Sequence, residues 1–98
     1  MKPYIAIVHK DPDSAYGMTF PDAPGCFSAA DDIDDLFAMA SEALAGWTEV
    51  TLEFGGELPQ IRDLSEIKAD PEWHESFADA VLVIAVPPPA VTAARRAA

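Results

Sequence analysis

A proline- and glycine-containing corner constrains the fold of this chain more than any other stretch. Residues 17–27 read Gly-Met-Thr-Phe-Pro-Asp-Ala-Pro-Gly-Cys-Phe, and Pro21, Pro24 and Gly25 lie within five residues of one another. Because proline has no backbone N–H to donate to a β-ladder, strand pairing must stop or bulge at this corner. The sequence therefore predicts a rigid turn here that separates two strands.

Apolar runs on both sides of the corner predict a small antiparallel sheet. Residues 4–8 are continuously apolar with β-branched members, which is typical of a buried strand. Residues 15–20 place their bulky side chains on one face, and residues 26–30 resume as a third strand, so a three-stranded meander is expected. Residues 80–86 form a seven-residue apolar run, which predicts a strand that is buried on both faces or pairs with another subunit.

One long helix is predicted between the third and the fourth strand. Asp32 is the expected N-cap, and Asp35 three residues later completes a variant of the capping box. Apolar residues then recur every three or four positions, which predicts a helix to about residue 54 that ends at Gly55. The predicted apolar stripe comprises Leu36, Ala40, Ala43, Trp47, Val50 and Phe54.

The order of elements predicts an α+β domain. Short helical patterns near residues 63–68 and after Pro71 precede the last strand, which gives β-β-β-α-(short α)-β with the long helix packed on one sheet. With 98 residues the chain holds one domain, which we expect over residues 1–89. Residues 90–98 are expected to form a flexible tail.

The net charge and the cysteine content indicate which classes of partner the chain can bind and in which compartment it acts. The chain carries 17 acidic and 6 basic residues, a net charge of −11, so it is poorly suited to nucleic acid and attracts basic partners. A single cysteine excludes an internal disulfide and favours a reducing cytoplasm. The apolar run near the N-terminus is too short for a signal peptide or a membrane span.

The sequence offers no convincing catalytic or metal-binding pattern. His9 and His74 lack the partner spacing of a metal site, and Cys26 has no adjacent base in the sequence. The carboxylates of residues 31–35 are accounted for by helix capping and the helix dipole better than by calcium binding. We therefore predict that the protein is not an enzyme and uses neither a metal nor a cofactor.

The corner and its flanks resemble the HicB-like antitoxins of bacterial toxin–antitoxin systems. The similarity covers roughly residues 3–86, from the apolar run at residues 4–8 through the corner and the acidic helix start to the apolar run that ends at Val86. The residues that carry this signature are Tyr16, Gly17, Phe20, Pro21, Pro24, Gly25 and Cys26.

The resemblance implies a partial RNase H-like fold without nuclease residues. It further implies that the chain binds and neutralises a small basic mRNA-cleaving toxin of the HicA type, and that it forms a dimer or tetramer. Many members of the family carry a C-terminal DNA-binding module, whereas only nine residues follow Pro89 here. Direct DNA binding by this chain is therefore not expected.

Two alternatives remain beside the antitoxin interpretation. One is an oligomerising scaffold without a toxin partner, and the other is a nuclease built on the RNase H-like scaffold. If the chain binds a basic toxin, acidic residues around the corner and the helix start are the expected contacts. These candidates are Asp22, Asp31, Asp32, Asp34 and Asp35.

Overall fold

The computed structural model of the protein describes residues 2–89, so the tail predicted over residues 90–98 lies outside the described residues. The strands are β1 (Tyr4–Lys10), β2 (Tyr16–Thr19), β3 (Phe27–Ala30) and β4 (Leu82–Val86). The helices are α1 (Leu36–Glu53), α2 (Leu64–Ala69) and α3 (His74–Ala78), with 3-10 turns at Ile33–Asp35 and Pro71–Trp73. The predicted α+β order is confirmed.

The four strands form one antiparallel sheet in the order β3-β2-β1-β4. In the register of this sheet, Val8 of β1 lies between Met18 of β2 and Leu82 of β4. Residues 4–8 are all buried, because β1 has a neighbouring strand on each side and is covered on both faces. The predictions of a buried strand over residues 4–8 and of a three-stranded meander are therefore confirmed.

The main core lies between the sheet and α1. Alternating side chains of β1 face this core, including Tyr4 and Val8, and they join Phe20 of the corner and Leu44 of α1. Leu44 and Val8 are fully buried, so this layer removes the largest block of apolar surface from water. The packing of α1 on the sheet, which the apolar periodicity predicts, is confirmed.

The opposite face of the sheet is covered by the short helices. Ile5 and Ile7 point to this face because side chains alternate along a strand, and both are buried. His9 lies on the same face, and its Nε2–H donates a hydrogen bond of 2.8 Å to the backbone carbonyl of Ser76 in α3. The sheet is therefore enclosed by helices on both faces, whereas the sequence predicted only the α1 layer.

The start of α1 differs from the predicted capping box. Asp32 has extended backbone angles (φ −112°, ψ 145°) and precedes the 3-10 turn, and α1 itself begins four residues later, at Leu36. Neither Asp32 nor Asp35 makes a side-chain capping hydrogen bond. These carboxylates therefore remain directed to solvent, and their contribution to the helix start is limited to their charge near its N-terminus.

The apolar stripe of α1 is shorter than predicted. Leu36, Ala40, Leu44 and Thr48 are buried, but Val50 is 52% exposed and Phe54 is 82% exposed. The last turns of the helix therefore contribute little to the core, and Gly55, at φ 78°, ends the helix as predicted.

The structure contradicts one of the two environments predicted for the last strand. β4 pairs with β1 only and forms an edge of the sheet. Its first three residues are half-buried, Ala85 is exposed and Val86 is buried, so the strand is not buried on both faces. The alternative, pairing with another subunit, stays a prediction.

Thr48 allows a test of how much an unpaired buried hydroxyl lowers the stability of the core. Within residues 2–89, its Oγ1 is the one buried side-chain oxygen or nitrogen without a hydrogen-bond partner, and the residue is 5% exposed. We expect Thr48→Val to raise the free energy of unfolding by about 1 kcal/mol, because valine fills the same space without an unpaired hydroxyl. Urea unfolding measures the change. Thr51→Val, at a half-buried position of the same helix, is the control and is expected to change stability by less.

Candidate partner-binding surface

The corner is a compact structure closed by its own backbone. The N–H of Ala23 donates to the carbonyl of Phe20 at 3.1 Å, and the N–H of Cys26 donates to the carbonyl of Ala23 at 3.0 Å. Gly25 adopts φ 85°, a left-handed conformation that favours glycine. The indole N–H of Trp47 donates to the carbonyl of Pro24 at 2.9 Å, which fixes the corner against α1.

The single carboxylate of the corner is held by an arginine that follows in the chain. Asp22 is 6% exposed, its Oδ1 accepts from the Nε of Arg62 at 2.8 Å, and its Oδ2 accepts from the backbone N–H of Arg62 at 2.8 Å. The Nη1 of Arg62 also donates to Asp70 at 3.0 Å. Asp22 is therefore occupied inside the fold, and we omit it from the proposed partner surface.

Asp70 completes this cluster on the exposed side. Its Oδ1 accepts from the backbone N–H of Glu72 at 3.0 Å, and that hydrogen bond together with the Arg62 guanidinium lowers the pKa of the Asp70 carboxyl. The cluster connects the corner to the start of the Pro71–Trp73 turn. Its electrostatics serve to hold two segments together, because each carboxylate has a partner.

The remaining signature residues are also structural. Tyr16 and Gly17 lie in β2, and Phe20 and Pro21 are buried within the corner. Cys26 is 4% exposed, and burial raises the pKa of its thiol to about 11, so the thiol stays protonated and poorly nucleophilic at neutral pH.

Three of the five predicted acidic contacts are brought together on one surface. Asp31, Asp32 and Asp35 line an open groove of about 430 Å³ beside the end of β3 and the start of α1. We call this feature the acidic groove. Its other lining residues are Ala15, Ala29, Ala30, Ala38 and Met39. Asp34 is exposed nearby but does not line the groove.

The composition of the acidic groove suits a basic side chain. Alanines on β3 and α1 leave space between the two elements, and no ion pair within residues 2–89 involves the three carboxylates. An incoming lysine or arginine can place its aliphatic stem against the alanines and its charge beside the carboxylates. The sequence pattern predicted the carboxylates of this site but not the alanines that line it. The small side chains of Ser28, Ala29 and Ala30, just before Asp31, were the available indication of open space there.

Two histidines lie outside both the corner and the acidic groove. Within residues 2–89, no group of three histidine, cysteine or carboxylate side chains is placed to hold a metal ion. His9 is engaged with the Ser76 carbonyl, and His74 begins α3. No helix in that part of the chain is both long enough and apolar enough to cross a membrane.

Solved structures with the same fold identify the relatives of this chain. A chain of the HicA3 and HicB3 toxin-antitoxin complex superposes with a TM-score of 0.71 and 26% identity, over 89% of this chain and 98% of that chain. The Burkholderia pseudomallei antitoxin HicB superposes with a TM-score of 0.71 and 32% identity, over 97% of this chain and 67% of that chain. The first structure is a toxin–antitoxin complex, and the second is an antitoxin.

Sequence comparison gives a consistent result. An uncharacterized 14.9 kDa protein from the rep-hol intergenic region of Haemophilus phage HP1 (strain HP1c1) is 33% identical over 63 residues. The match covers 64% of this chain and 47% of the phage protein, so the chain spans about half the length of that relative. The family described as HicB_like antitoxin of bacterial toxin-antitoxin system matches residues 4–95. Because that match covers nearly the whole chain, the protein belongs to the HicB-like antitoxin family.

Proposed function

We propose that this protein neutralises a small basic toxin of the HicA type by binding it at the acidic groove. Membership of the HicB-like family gives the chain an antitoxin role in a toxin–antitoxin system. The observation that carries the proposed partner is the likeness to a chain of the HicA3 and HicB3 complex, which extends over 89% of this protein. Inhibition then results from occupation of the toxin surface and requires no catalysis by the antitoxin.

Electrostatics support this partner. A toxin that cleaves RNA needs cationic side chains to meet the phosphate backbone, and an antitoxin with a net charge of −11 competes for the same side chains. The carboxylates of Asp31, Asp32 and Asp35, which form no ion pair with another residue of the range 2–89, concentrate negative charge at one place. Complementary charge accelerates encounter and selects the partner.

The rigidity of the surrounding structure supports the position of the site. The acidic groove lies at the junction of β3 and α1, and the hydroxyl of Ser28 donates to the carbonyl of Met39 at 3.0 Å across this junction. The corner precedes β3 and is fixed by Trp47 and Arg62. A surface held in this way loses little conformational entropy on binding, which favours affinity.

Four finer features belong to the same proposal. The folded antitoxin domain occupies residues 1–89, and the protein acts in the cytoplasm, where a toxin that cleaves mRNA finds its substrate. Direct DNA binding is not part of the role of this chain, because its charge disfavours contact with phosphates. Asp34, exposed beside the acidic groove, adds to its negative potential.

The test of the proposal begins with the reading frames adjacent to the gene of this chain, one of which we expect to encode a small basic protein. Titration calorimetry of the two purified proteins is expected to give a complex with a dissociation constant below micromolar, and addition of this chain is expected to stop RNA cleavage by the basic protein. Absence of a complex at micromolar concentrations would refute the proposal. Cleavage of RNA by this chain alone, with the basic protein absent, would support the nuclease alternative instead.

A further inference from the structure

A second concave surface lies at the other end of β3 from the acidic groove. It is an open pocket of about 360 Å³ between the corner and the Pro71–Trp73 turn, and we call it the aromatic pocket. Its walls include Phe27 of β3 and Trp73 of the turn, together with Arg62 and Glu72. Phe27 is 69% exposed although it is large and apolar, and Trp73 is half-buried. Both rings therefore present aromatic surface to an incoming group.

Neither of these rings has an aromatic or cationic partner within residues 2–89. Elsewhere in the chain, the ammonium groups of Lys10 and Lys68 lie over other aromatic rings, at 5.6 Å and 5.8 Å from the ring centroids. Phe27 and Trp73 offer the same kind of surface with no cation on it. Exposed aromatic side chains around a cavity are typical of a surface that binds another protein.

The charge around the aromatic pocket is negative on balance. Arg62 is the one cationic residue of the described chain that lines it, and its guanidinium is already bound by Asp22 at 2.8 Å and by Asp70 at 3.0 Å. Glu72 adds a third carboxylate, which is exposed and forms no ion pair with another residue of the range 2–89. Because three carboxylates surround one guanidinium, the pocket favours a cation over an anion.

We propose that the aromatic pocket binds a lysine or arginine side chain of the same basic toxin that occupies the acidic groove, an inference that rests on the proposed function. A cation over the face of an aromatic ring is attracted by the negative potential of the ring. The carboxylate of Glu72 lies on the same walls as the two rings and pairs with the charge of the incoming side chain. An apolar side chain gains nothing from that carboxylate, and an acidic side chain is repelled by it.

The aromatic pocket and the acidic groove belong to one continuous surface. Phe27 lines the pocket and Ala29 lines the groove, and because the two residues are two positions apart in β3, their side chains lie on the same face, about 7 Å apart. Gly17 of β2 pairs with Ala29, and a Cβ at Gly17 would meet no atom within 4 Å beyond its chain neighbours. The described chain therefore leaves space for one partner that contacts both sites.

Two conservative substitutions test the aromatic pocket. Phe27→Leu removes the aromatic face and keeps an apolar side chain, and Glu72→Gln removes the charge and keeps the size. Both residues are exposed, so both variants are expected to fold like the wild-type protein, which circular dichroism checks. In calorimetric titration with the basic toxin of the proposed function, each is expected to raise the dissociation constant about fivefold.

Matched controls lie at the end of α1 and just beyond it. Phe54→Leu and Glu57→Gln make the same changes at exposed positions outside the pocket and are expected to change the dissociation constant by less than about twofold. If Phe27→Leu proves to be unfolded, the comparison of Glu72→Gln with Glu57→Gln carries the same test.

The outcomes separate this inference from the proposed function. Absence of any complex with the wild-type protein would refute both. A complex that Phe27→Leu and Glu72→Gln weaken no more than their controls do would refute the aromatic pocket alone. A loss of affinity in Phe27→Ala but in neither Phe27→Leu nor Glu72→Gln would show that the pocket holds an apolar side chain, and it would also overturn the proposal.

Discussion

Replacing Arg62 with methionine is expected to lower the free energy of unfolding by about 3 kcal/mol or more. The substitution keeps much of the aliphatic stem and removes the charge that faces Asp22, which is 6% exposed. In the variant the Asp22 carboxylate keeps the backbone N–H of residue 62 as a donor, but it has no cation to offset the cost of burying its charge. The loss also separates the corner from Asp70, which is bound by the same guanidinium at 3.0 Å.

Two further variants separate charge burial from other effects of the Arg62 substitution. Lys2→Met breaks the ion pair to Asp63 at 3.2 Å, whose side chains are 49% and 60% exposed, and is expected to cost less than about 1 kcal/mol. Adding Asp22→Asn to Arg62→Met is expected to restore most of the loss, since an amide is cheaper to bury than a charge. If Arg62→Met lowers the free energy of unfolding in urea by no more than Lys2→Met does, the cluster of Asp22, Arg62 and Asp70 does not stabilise the fold as we expect.

Truncation of Leu44 to alanine is expected to destabilise the protein by about 3 kcal/mol, the usual cost of a cavity at a fully buried leucine. Leu44 is 0% exposed and lies at the centre of the core between α1 and the sheet. Val50→Ala, six residues later in the same helix, is the control. Val50 is 52% exposed, so its truncation is expected to cost less than about 1 kcal/mol.

This pair of substitutions also tests the corrected position of the apolar stripe. The sequence pattern placed Val50 and Phe54 on the stripe that faces the sheet, whereas the structure leaves both exposed. Equal losses of stability for Leu44→Ala and Val50→Ala in urea unfolding would support the longer stripe and contradict the packing described here.

Local patterns predicted those parts of the fold that depend on neighbouring residues. The apolar run of residues 4–8, the turn chemistry of the corner and the periodicity after residue 36 each identify an element without knowledge of its partners. They were sufficient for the meander, the long helix and the family resemblance. The end of α1 at Gly55 was also predicted, because a left-handed cap favours glycine at that position.

Features that depend on distant contacts were not predicted. Asp22 and Arg62 are separated by 40 residues, and nothing local to either indicates their pairing. The packing of α3 on the second face of the sheet similarly involves a hydrogen bond between His9 and Ser76, which are 67 positions apart. Asp32 and Asp35 make no side-chain capping hydrogen bond because a 3-10 turn precedes α1. The spacing of the carboxylates does not predict that turn.

The candidate site was predicted in part. The charge pattern indicated that acidic residues near the helix start would face a basic partner, and Asp31, Asp32 and Asp35 do share a groove. Their use as toxin contacts stays a prediction. Asp22 has the same charge but a different environment, since its neighbours in the corner bury it and Arg62 pairs with it.

The measurement that tests the central claim most directly is calorimetric titration of a small basic HicA-type toxin with a variant of this chain whose acidic groove is charge-reversed. Asp31→Lys combined with Asp35→Lys is expected to weaken the complex by about tenfold or more and to reduce its sensitivity to salt. Glu53→Lys combined with Glu57→Lys makes the same change in net charge at two exposed positions, the last residue of α1 and a residue that follows it, and is expected to have a much smaller effect. Equal weakening by both pairs, or unchanged affinity of the groove variant, would contradict the proposed binding surface.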